Sequence, residues 1–371
     1  MVNMILVTGG AGFIGSHLVD ELLRQGHRVR VLDAFVEQVH SHNIYQLPAE
    51  VEVIRADVRD RAAVDGALED VEVVFHQAAE VGVGQSMYEI ERYASANTIG
   101  TAILLEALVA RRGQVRKLIV ASSMSIYGEG AYRCRECGDV APPLRANRQL
   151  EERDWEMRCP GCQSVLQPMP TPETKPLDPA SVYAVTKQDQ EQLCIIVGRA
   201  YGLPVTALRY FNVYGPRQAL SNPYTGVAAI FSARLLNGQP PLIFEDGLQS
   251  RDFTHVSDIV QANLRAMDSD AANFEVINVG TGVATSVRRM AELLAQGLGV
   301  AIEPTVVARF REGDIRHCFA DISRARNLLG YEPTVSVNAG IPQLLDWVRD
   351  QHAQDGVEQA TEELRSHGLV R

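Results

Sequence analysis

The chain has 371 residues, 46% of them hydrophobic, which is enough for a large core and roughly two domains. A formal net charge of −11 with no basic run argues against a nucleic-acid or anionic-membrane surface. No apolar segment reads as a membrane span and the N-terminus shows no signal-peptide pattern, so no membrane partner and a cytosolic location are expected. Of the six cysteines, four form two Cys-x-x-Cys pairs, which in a reducing compartment point to metal rather than disulfides.

Residues 4–8 read as a short buried strand. Gly9-Gly-Ala-Gly12-Phe13-Ile14-Gly15 follows, then a helix over residues 16–24 stopped by Gly26, then a second strand over 29–33. Glycines in such a turn let a pyrophosphate approach the helix N-terminus, which makes Gly9, Gly12, Phe13, Ile14 and Gly15 cofactor candidates. Their spacing is tighter at its start than the usual dinucleotide fingerprint. Asp33 closes the second strand, where it would accept hydrogen bonds from a ribose diol and repel a 2′-phosphate; NAD is favoured over NADP.

Residues 51–57 form the next expected strand, with Asp57 and Val58 at its end placed to hold the adenine. A strand over 71–76 runs into Gln77-Ala78-Ala79, whose small side chains let the backbone approach a cofactor. Residues 97–111 read as helix and 117–121 as a fifth strand, followed by Ser122, Ser123, Ser125 and Tyr127. Ligands of open α/β sheets sit beyond the carboxyl ends of strands, so these hydroxyls face a substrate or else only cap the strand end.

In Ser181-Val-Tyr183-Ala-Val-Thr-Lys187, Tyr183 and Lys187 stand four apart, one turn of a helix on one face. The residues up to Ala200 lack proline and carry Leu193, Ile196 and Val197 at helical spacing, and Ser181 is placed to cap. A tyrosine ionises only near pH ~10, and a lysine ammonium one turn away favours the phenolate. The expected product is a tyrosine that exchanges a proton near neutral pH. On its own the pair is also compatible with a lysine packed over a surface tyrosine.

Six motifs then arrive in one order: the glycine loop, Asn97-Thr-Ile-Gly-Thr101, Ser122-Ser-Met-Ser-Ile-Tyr-Gly128, Tyr183-x-x-x-Lys187, Arg209-Tyr-Phe-Asn-Val-Tyr-Gly-Pro216 and Arg251-Asp-Phe-Thr-His-Val-Ser-Asp258. Over residues 4–350 the chain resembles the extended short-chain dehydrogenase/reductases, within them the nucleotide-sugar epimerases of the UDP-galactose 4-epimerase type. The resemblance implies an α/β fold, a Rossmann-type doubly wound parallel sheet with a smaller α/β substrate lobe. It places the NAD-binding unit at 1–130, continued by 176–218 and 249–280, and the lobe at 219–248 and 281–350. It adds Asn97, Tyr210 and Val213 to the NAD contacts and implies tightly bound NAD, a nucleotide-sugar substrate and a homodimer.

By the same resemblance, Ser123, Tyr183 and Lys187 are catalytic, and Ser122, Tyr183 and Lys187 also touch NAD. Val83, Ser125, Asn212, Val227, Arg251 and Arg311 are substrate contacts. Guanidinium forks pair with phosphate oxygens, which suits Arg251 and Arg311 to a diphosphate, although Arg251 has Asp252 as a competing neighbour. Asp314 and Arg316 would fix the Arg311 loop. The reaction implied is inversion at C4 of a nucleotide hexose through a 4-keto sugar. Related 4,6-dehydratases carry Asp-Glu where Met124 and Ser125 stand here, which argues against dehydration. The sugar is expected to be dTDP-L-rhamnose/dTDP-6-deoxy-L-talose, from similarity of Val81–Glu89, the cysteine insertion and Arg311–His317 to that bacterial subgroup. UDP-glucose/UDP-galactose, a UDP-uronic acid, a 4-keto-sugar reductase and a non-catalytic NAD sensor are the alternatives.

Residues 131–175 interrupt the resemblance. They carry Cys134, Cys137, Cys159 and Cys162, with 21 residues between the two pairs. Two such knuckles suit a structural tetrahedral zinc whose sphere is filled by thiolates; a redox dithiol pair and unligated thiols are the alternatives. Because the insertion joins the serine strand to the Tyr183 helix, it is expected near the substrate mouth, and a lid is the hypothesis. Cys194 and Cys318 read as ordinary core thiols, and 351–371 as a charged helix-prone tail without identifiable chemistry.

Overall fold

The computed structural model describes residues 4–40 and 45–370. Seven strands form one sheet: β1 (Met4–Thr8), β2 (Arg28–Asp33), β3 (Glu52–Arg55), β4 (Val71–His76), β5 (Lys117–Ser123), β6 (Val205–Tyr210) and β7 (Glu275–Val279). Their order is β7-β6-β5-β4-β1-β2-β3 and every pairing is parallel. The chain therefore reverses its direction of growth between β1 and β4, which opens a crevice there at the carboxyl ends. β1, β5 and β6 are buried along their whole length, as helices on both faces require. β3, at the edge, is largely exposed and stops two residues short of the expected end.

The principal helices are α1 (Phe13–Arg24), α2 (Ile90–Ala110), α3 (Val182–Tyr201), α4 (Val227–Leu236), α5 (Val256–Asp268), α6 (Val287–Leu298), α7 (Val337–Val348) and α8 (Val357–Ser366). One face of the sheet packs Leu18, Val19 and Leu22 of α1 and Ile259, Ala262 and Ala266 of α5. The other packs Leu104, Leu105 and Leu108 of α2 and Cys194 of α3. A separate core of Phe231, Leu235, Met290, Leu294, Leu344 and Leu345 joins α4, α6 and α7.

The run Ile90–Ala110 corrects one expectation. It is long and apolar enough to cross a membrane by length and composition. Leu104, Leu105, Ala107 and Leu108 instead pack in the core on the second face of the sheet and Thr101 Oγ1 donates to Asn97 O at 2.6 Å, while Ile90, Glu91, Ile99 and Glu106 are exposed. A π-helical stretch, Ala94–Ile99, interrupts it.

The insertion folds as a three-stranded antiparallel sheet, with Ala131–Cys134 between Gly138–Val140 and Gln167–Met169, plus a short helix Asn147–Glu151. Tyr132, Met157 and Leu166 pack with Cys134 and Cys159 in a small core of its own. Both its ends rest on one segment: Gly130 N donates to His317 O and Thr171 N to Phe319 O, while Ala131 N donates to Thr171 Oγ1.

Candidate active site

A cleft of about 630 Å³ runs along the carboxyl ends of the strands and into the α4/α6 lobe, a size suited to a cofactor with a substrate. Gly9, Gly12, Phe13, Ile14 and Gly15 line its floor. Gly9 has φ +68, and a Cβ there would lie 2.7 Å from Ala78 N; at Gly15 it would lie 2.2 Å from Gly9 O. Only glycine fits either place. Gly12 caps α1 without a side chain and no acidic residue stands in the first turn. The positive end of α1 is thereby left to an anion.

Asp33 is buried at the end of β2. Its Oδ2 accepts from Ala11 N at 2.9 Å and its Oδ1 from Phe35 N at 2.8 Å, so the glycine loop itself orients the carboxylate. Asp57, Val58, Ala78 and Ala79 line the same wall. The Asp57 carboxylate is shared with the Arg59 guanidinium, which holds it below the usual carboxylate range. These residues fit NAD: a cradle that a Cβ would fill, a bare helix N-terminus and an oriented carboxylate at the position of a ribose.

Ser123, Tyr183 and Lys187 all line this cleft, and the Tyr183 hydroxyl is hydrogen-bonded with Ser123. Ser123 closes β5, and its Oγ accepts from Ser125 Oγ at 2.9 Å. Tyr183 and Lys187 sit in the first two turns of α3, which Ser181 caps by accepting from Ala184 N at 3.1 Å. The Tyr183 amide, free of any helix partner at that position, donates to Ser86 Oγ at 3.0 Å.

The electrostatics of the pair differ from the expectation. Burial pushes the Tyr183 phenol above its ordinary value, with Ser123 opposing, while burial pulls Lys187 down to about 7. Spacing on a helix predicts a favourable charge interaction, but desolvation is the leading influence on each group here, and the charges that act on Lys187 are those of Cys194 and Glu191.

Below the pair lies a buried polar chain. Lys187 Nζ donates to Gln190 Oε1 at 2.7 Å, and Gln190 Nε2 donates to Thr101 Oγ1 at 2.8 Å and meets His76 Nε2 at 3.2 Å. His76 Nδ1 meets Thr8 Oγ1 at 2.8 Å; burial lowers this imidazole to about 3 and keeps it neutral. Asn97 belongs to this support and not to the cleft wall. Fully buried, it accepts from Glu80 N at 2.7 Å and donates to Thr186 Oγ1 at 3.0 Å. Ser122 lines the cleft, but its hydroxyl donates to Glu191 Oε2 at 2.7 Å, within the buried Arg209–Glu191 pair.

Tyr210, Val213, Val83, Ser125, Asn212, Val227, Arg251 and Arg311 all line the cleft. Asn212 Oδ1 is buried without a partner, as are Gln218 Oε1 and Gln249 Oε1 beside the same cleft; each is an acceptor suited to a ligand donor. Arg251 is not paired with Asp252, which accepts instead from Thr281, Gly282 and Ala320. The Arg251 guanidinium donates to the carbonyls of Ser250, Ile315 and Arg316. Arg311 pairs with Asp314 at 2.8 Å and lies 4.6 Å over the Phe244 ring.

The sequence reading missed Gln218, Gln249, Tyr224, Glu245 and the whole of α8. Ala360, Thr361 and Leu364 of α8 line the cleft, Leu364 packs on Gly84, and Tyr224 donates to Glu363 at 2.6 Å. The 357, 360, 361, 364 spacing was a readable helical face; nothing local showed what it covers.

Two expectations about the insertion fare differently. The four cysteine sulfurs lie within 4.8 Å of one another, with Cys134 and Cys162 3.4 Å apart. A tetrahedral zinc with Zn–S of about 2.3 Å needs sulfurs spaced by about 3.8 Å, so the donor set fits. As a lid the insertion fails: no residue of 131–175 lines the cleft. It docks behind the 309–317 loop, one layer back from the cleft, through contacts of Arg145 with Glu245 and Asp314 and of Glu156 with Arg316.

Comparison with known proteins agrees with this geometry. Residues 5–149 and 162–280 match the family described as NAD dependent epimerase/dehydratase; the unmatched gap falls inside the insertion. The chain therefore belongs to the NAD-dependent epimerase/dehydratase family. Within it the chain is an enzyme of the nucleotide-sugar epimerase kind, an isomerase. It is 36% identical over 351 residues to the dTDP-L-rhamnose 4-epimerase of Burkholderia thailandensis, covering 94% of this chain and 95% of that one. The structure of the UDP-glucose 4-epimerase of Thermotoga maritima with UDP-glucose superposes with a TM-score of 0.76 at 34% identity, covering 93% and 98%. That of the UDP-glucuronic acid 4-epimerase of Bacillus cereus, in complex with UDP-glucuronic acid and NAD, gives 0.73 at 29%, covering 93% and 99%.

Proposed function

We propose that this enzyme inverts C4 of a nucleotide hexose with NAD, and that its pair is dTDP-L-rhamnose and dTDP-6-deoxy-L-talose. The observation that carries the reaction is the meeting of Ser123, Tyr183 and Lys187 in one cleft that continues from the glycine loop to Arg251 and Arg311. Gly9, Gly12, Gly15 and Asp33 would hold NAD, which would supply the reversible hydride acceptor for the sugar carbon. Tyr183 takes the C4 hydroxyl proton and later gives it back. Ser123 hydrogen-bonds the same oxygen and passes its proton. Burial opposes a phenolate at Tyr183, and Lys187, one turn away, is the cation placed to offset it. The flat 4-keto sugar turns over between the two half-reactions, exposing its other face. Arg251 and Arg311 are assigned to the diphosphate.

The choice of sugar is supported by the Burkholderia thailandensis relative, which matches almost the full length of both chains. UDP-glucose/UDP-galactose is the second reading, favoured by the fold shared with the UDP-glucose-bound Thermotoga maritima enzyme. We also assign a structural zinc to Cys134, Cys137, Cys159 and Cys162, where four thiolates would leave no open position for catalysis. Its support is the convergence of the four sulfurs.

The test is incubation of the purified chain, without added cofactor, with dTDP-L-rhamnose, UDP-galactose, UDP-glucuronate and UDP-N-acetylglucosamine, read by proton NMR. A new epimer of dTDP-L-rhamnose alone is expected. Epimerisation of a different sugar overturns the sugar assignment, and reduction of a 4-keto sugar only with added NADPH overturns epimerisation. Metal analysis of fresh protein is expected to find about one zinc per chain; none would remove that assignment.

A further inference from the structure

We infer that Arg145, on the cysteine-bearing insertion, is a positioning residue for the diphosphate of the nucleotide sugar. It acts through Glu245 and the backbone of Asp314, and the inference rests on the nucleotide-sugar reading above. Arg145 is buried and both terminal nitrogens of its guanidinium are engaged, while its Nε lies 3.9 Å from Glu129 Oε1 with no hydrogen-bond partner among the described residues. Nη1 donates to Trp155 O at 2.9 Å and to Glu245 Oε2 at 3.0 Å; Nη2 donates to Glu245 Oε1 at 2.8 Å and to Asp314 O at 3.2 Å.

Two of these contacts lie on or next to the immediate neighbours of Arg311: one on the backbone of Asp314, the other on the carboxylate of Glu245, the residue after Phe244. The Asp314 carboxylate pairs with the Arg311 guanidinium, and the same guanidinium covers the Phe244 ring. One buried fork from the insertion thus fixes both surfaces between which Arg311 is held. A fork suits the task because a bidentate carboxylate contact sets direction as well as distance.

Glu245 faces the cleft at 3% exposure, in a left-handed backbone conformation with φ 55. A non-glycine residue stays there only where its surroundings over-determine it. Its carboxylate is balanced by Arg145 on one side and by fully buried Arg316 on the other, at 2.8 and 3.0 Å. Removing Arg145 deprives a buried carboxylate of one of two cations beside the place where a diphosphate must sit. The insertion reaches the same loop at further points: Glu156 pairs with Arg316 and lies beside His317, Tyr132 Oη accepts from His317 N, and Asn147 donates to Glu312. Gln149 ties the backbone of Asp154 and Glu156 to the helix that follows Arg145, and Met157 next to them packs in the cysteine core. The cysteine centre is accordingly the anchor from which Arg145 reaches the loop.

The test uses the full chain loaded with NAD. Calorimetry measures UDP and dTDP binding, and kinetics measure the nucleotide sugar, for the wild type, Arg145→Met and Arg145→Lys. Arg145→Met is expected to weaken nucleoside-diphosphate binding by about tenfold or more and to raise KM in step, with kcat changed by less than about threefold. NAD affinity and zinc content should not move. Arg145→Lys, which keeps the charge and loses the fork, should recover part of the loss. If Arg145→Met does not fold, Arg145→Lys alone carries the test, with a several-fold loss expected. Unchanged nucleoside-diphosphate affinity in a folded variant overturns the inference and leaves the function standing. So does a parallel fall in NAD affinity, which would mark general damage. If the wild type binds neither UDP nor dTDP, the nucleotide-sugar reading fails and takes this inference with it.

Discussion

The two ends of the cleft are built by different means. At the cofactor end the backbone does most of the shaping: Gly9 and Gly15 leave space no Cβ could share, and Asp33 is aimed by two backbone amides, Ala11 of the glycine loop and Phe35. At the substrate end, side chains from distant parts of the chain hold one another. Arg145 and Glu245 are 100 residues apart, and Tyr224 and Glu363 are 139 apart. Steric fit at the first end tolerates no added atom, whereas the second end depends on buried charge pairs whose members must change together. The first end suits a group common to many enzymes, the second a group that varies between them.

Three experiments would break or sharpen that contrast. The largest effect is expected where the two ends meet. Tyr183→Phe removes the proton carrier but no packing volume, so turnover should fall by about 100- to 10,000-fold. NAD affinity should remain, as measured by equilibrium dialysis; substantial retained turnover would remove Tyr183 from the chemistry.

Next comes the steric end. Gly15→Ala puts a methyl 2.2 Å from Gly9 O and 2.7 Å from Gly10 Cα. Overpacking of this kind costs about 1–3 kcal/mol. NAD affinity is expected to fall by about tenfold or more, since the loop must move where the pyrophosphate sits, while UDP and dTDP bind as before. Equal losses of both ligands would erase the distinction between the two ends.

The third experiment reads stability against pH and leaves the ligands aside. Lys187 has its value lowered to about 7 by burial, whereas an unfolded lysine titrates near ~10.4. Between those limits the unfolded chain holds the extra proton, so stability rises with pH through that window and the penalty is greatest below about 7. Lys187→Met carries no such charge. Its urea midpoint, measured on NAD-free protein, should gain most on the wild type at pH 7 and lose that advantage toward pH 10. A difference independent of pH would show that Lys187 is not held in a desolvated site.

The same contrast explains what was legible in the sequence. Gly9–Gly15, Asp33, Asp57 and Ala78–Ala79 each sit at the end of a strand whose apolar run announces it, so local pattern placed them on the cleft wall. Ser181 as a cap and Tyr183 and Lys187 on one helix face were legible for the same reason. Asn97 was assigned to the cofactor because its motif was visible while its burial was not. The direction of the Tyr183 shift was misjudged because spacing gives the neighbour but not the loss of water. Glu245, Arg145 and α8 were out of reach because their meaning lies in pairings across a hundred residues or more, which no local window contains. The insertion's chemistry could be read from its cysteines, but its position behind the 309–317 loop depends on Arg145, Glu156 and Arg316, charges that in sequence look like any other.

The insertion leaves the main chain at Gly130 and returns at Thr171, both resting on the segment around residues 317–319. Neither joint lies in the seven-stranded sheet, and Ser123 and α3 keep their places through contacts outside residues 131–170. Such a seam behaves like a socket: a lineage could gain, lose or exchange what is plugged into it in one step, without moving the reacting groups. The grip on the diphosphate and the chemistry performed on the sugar would then be separately heritable.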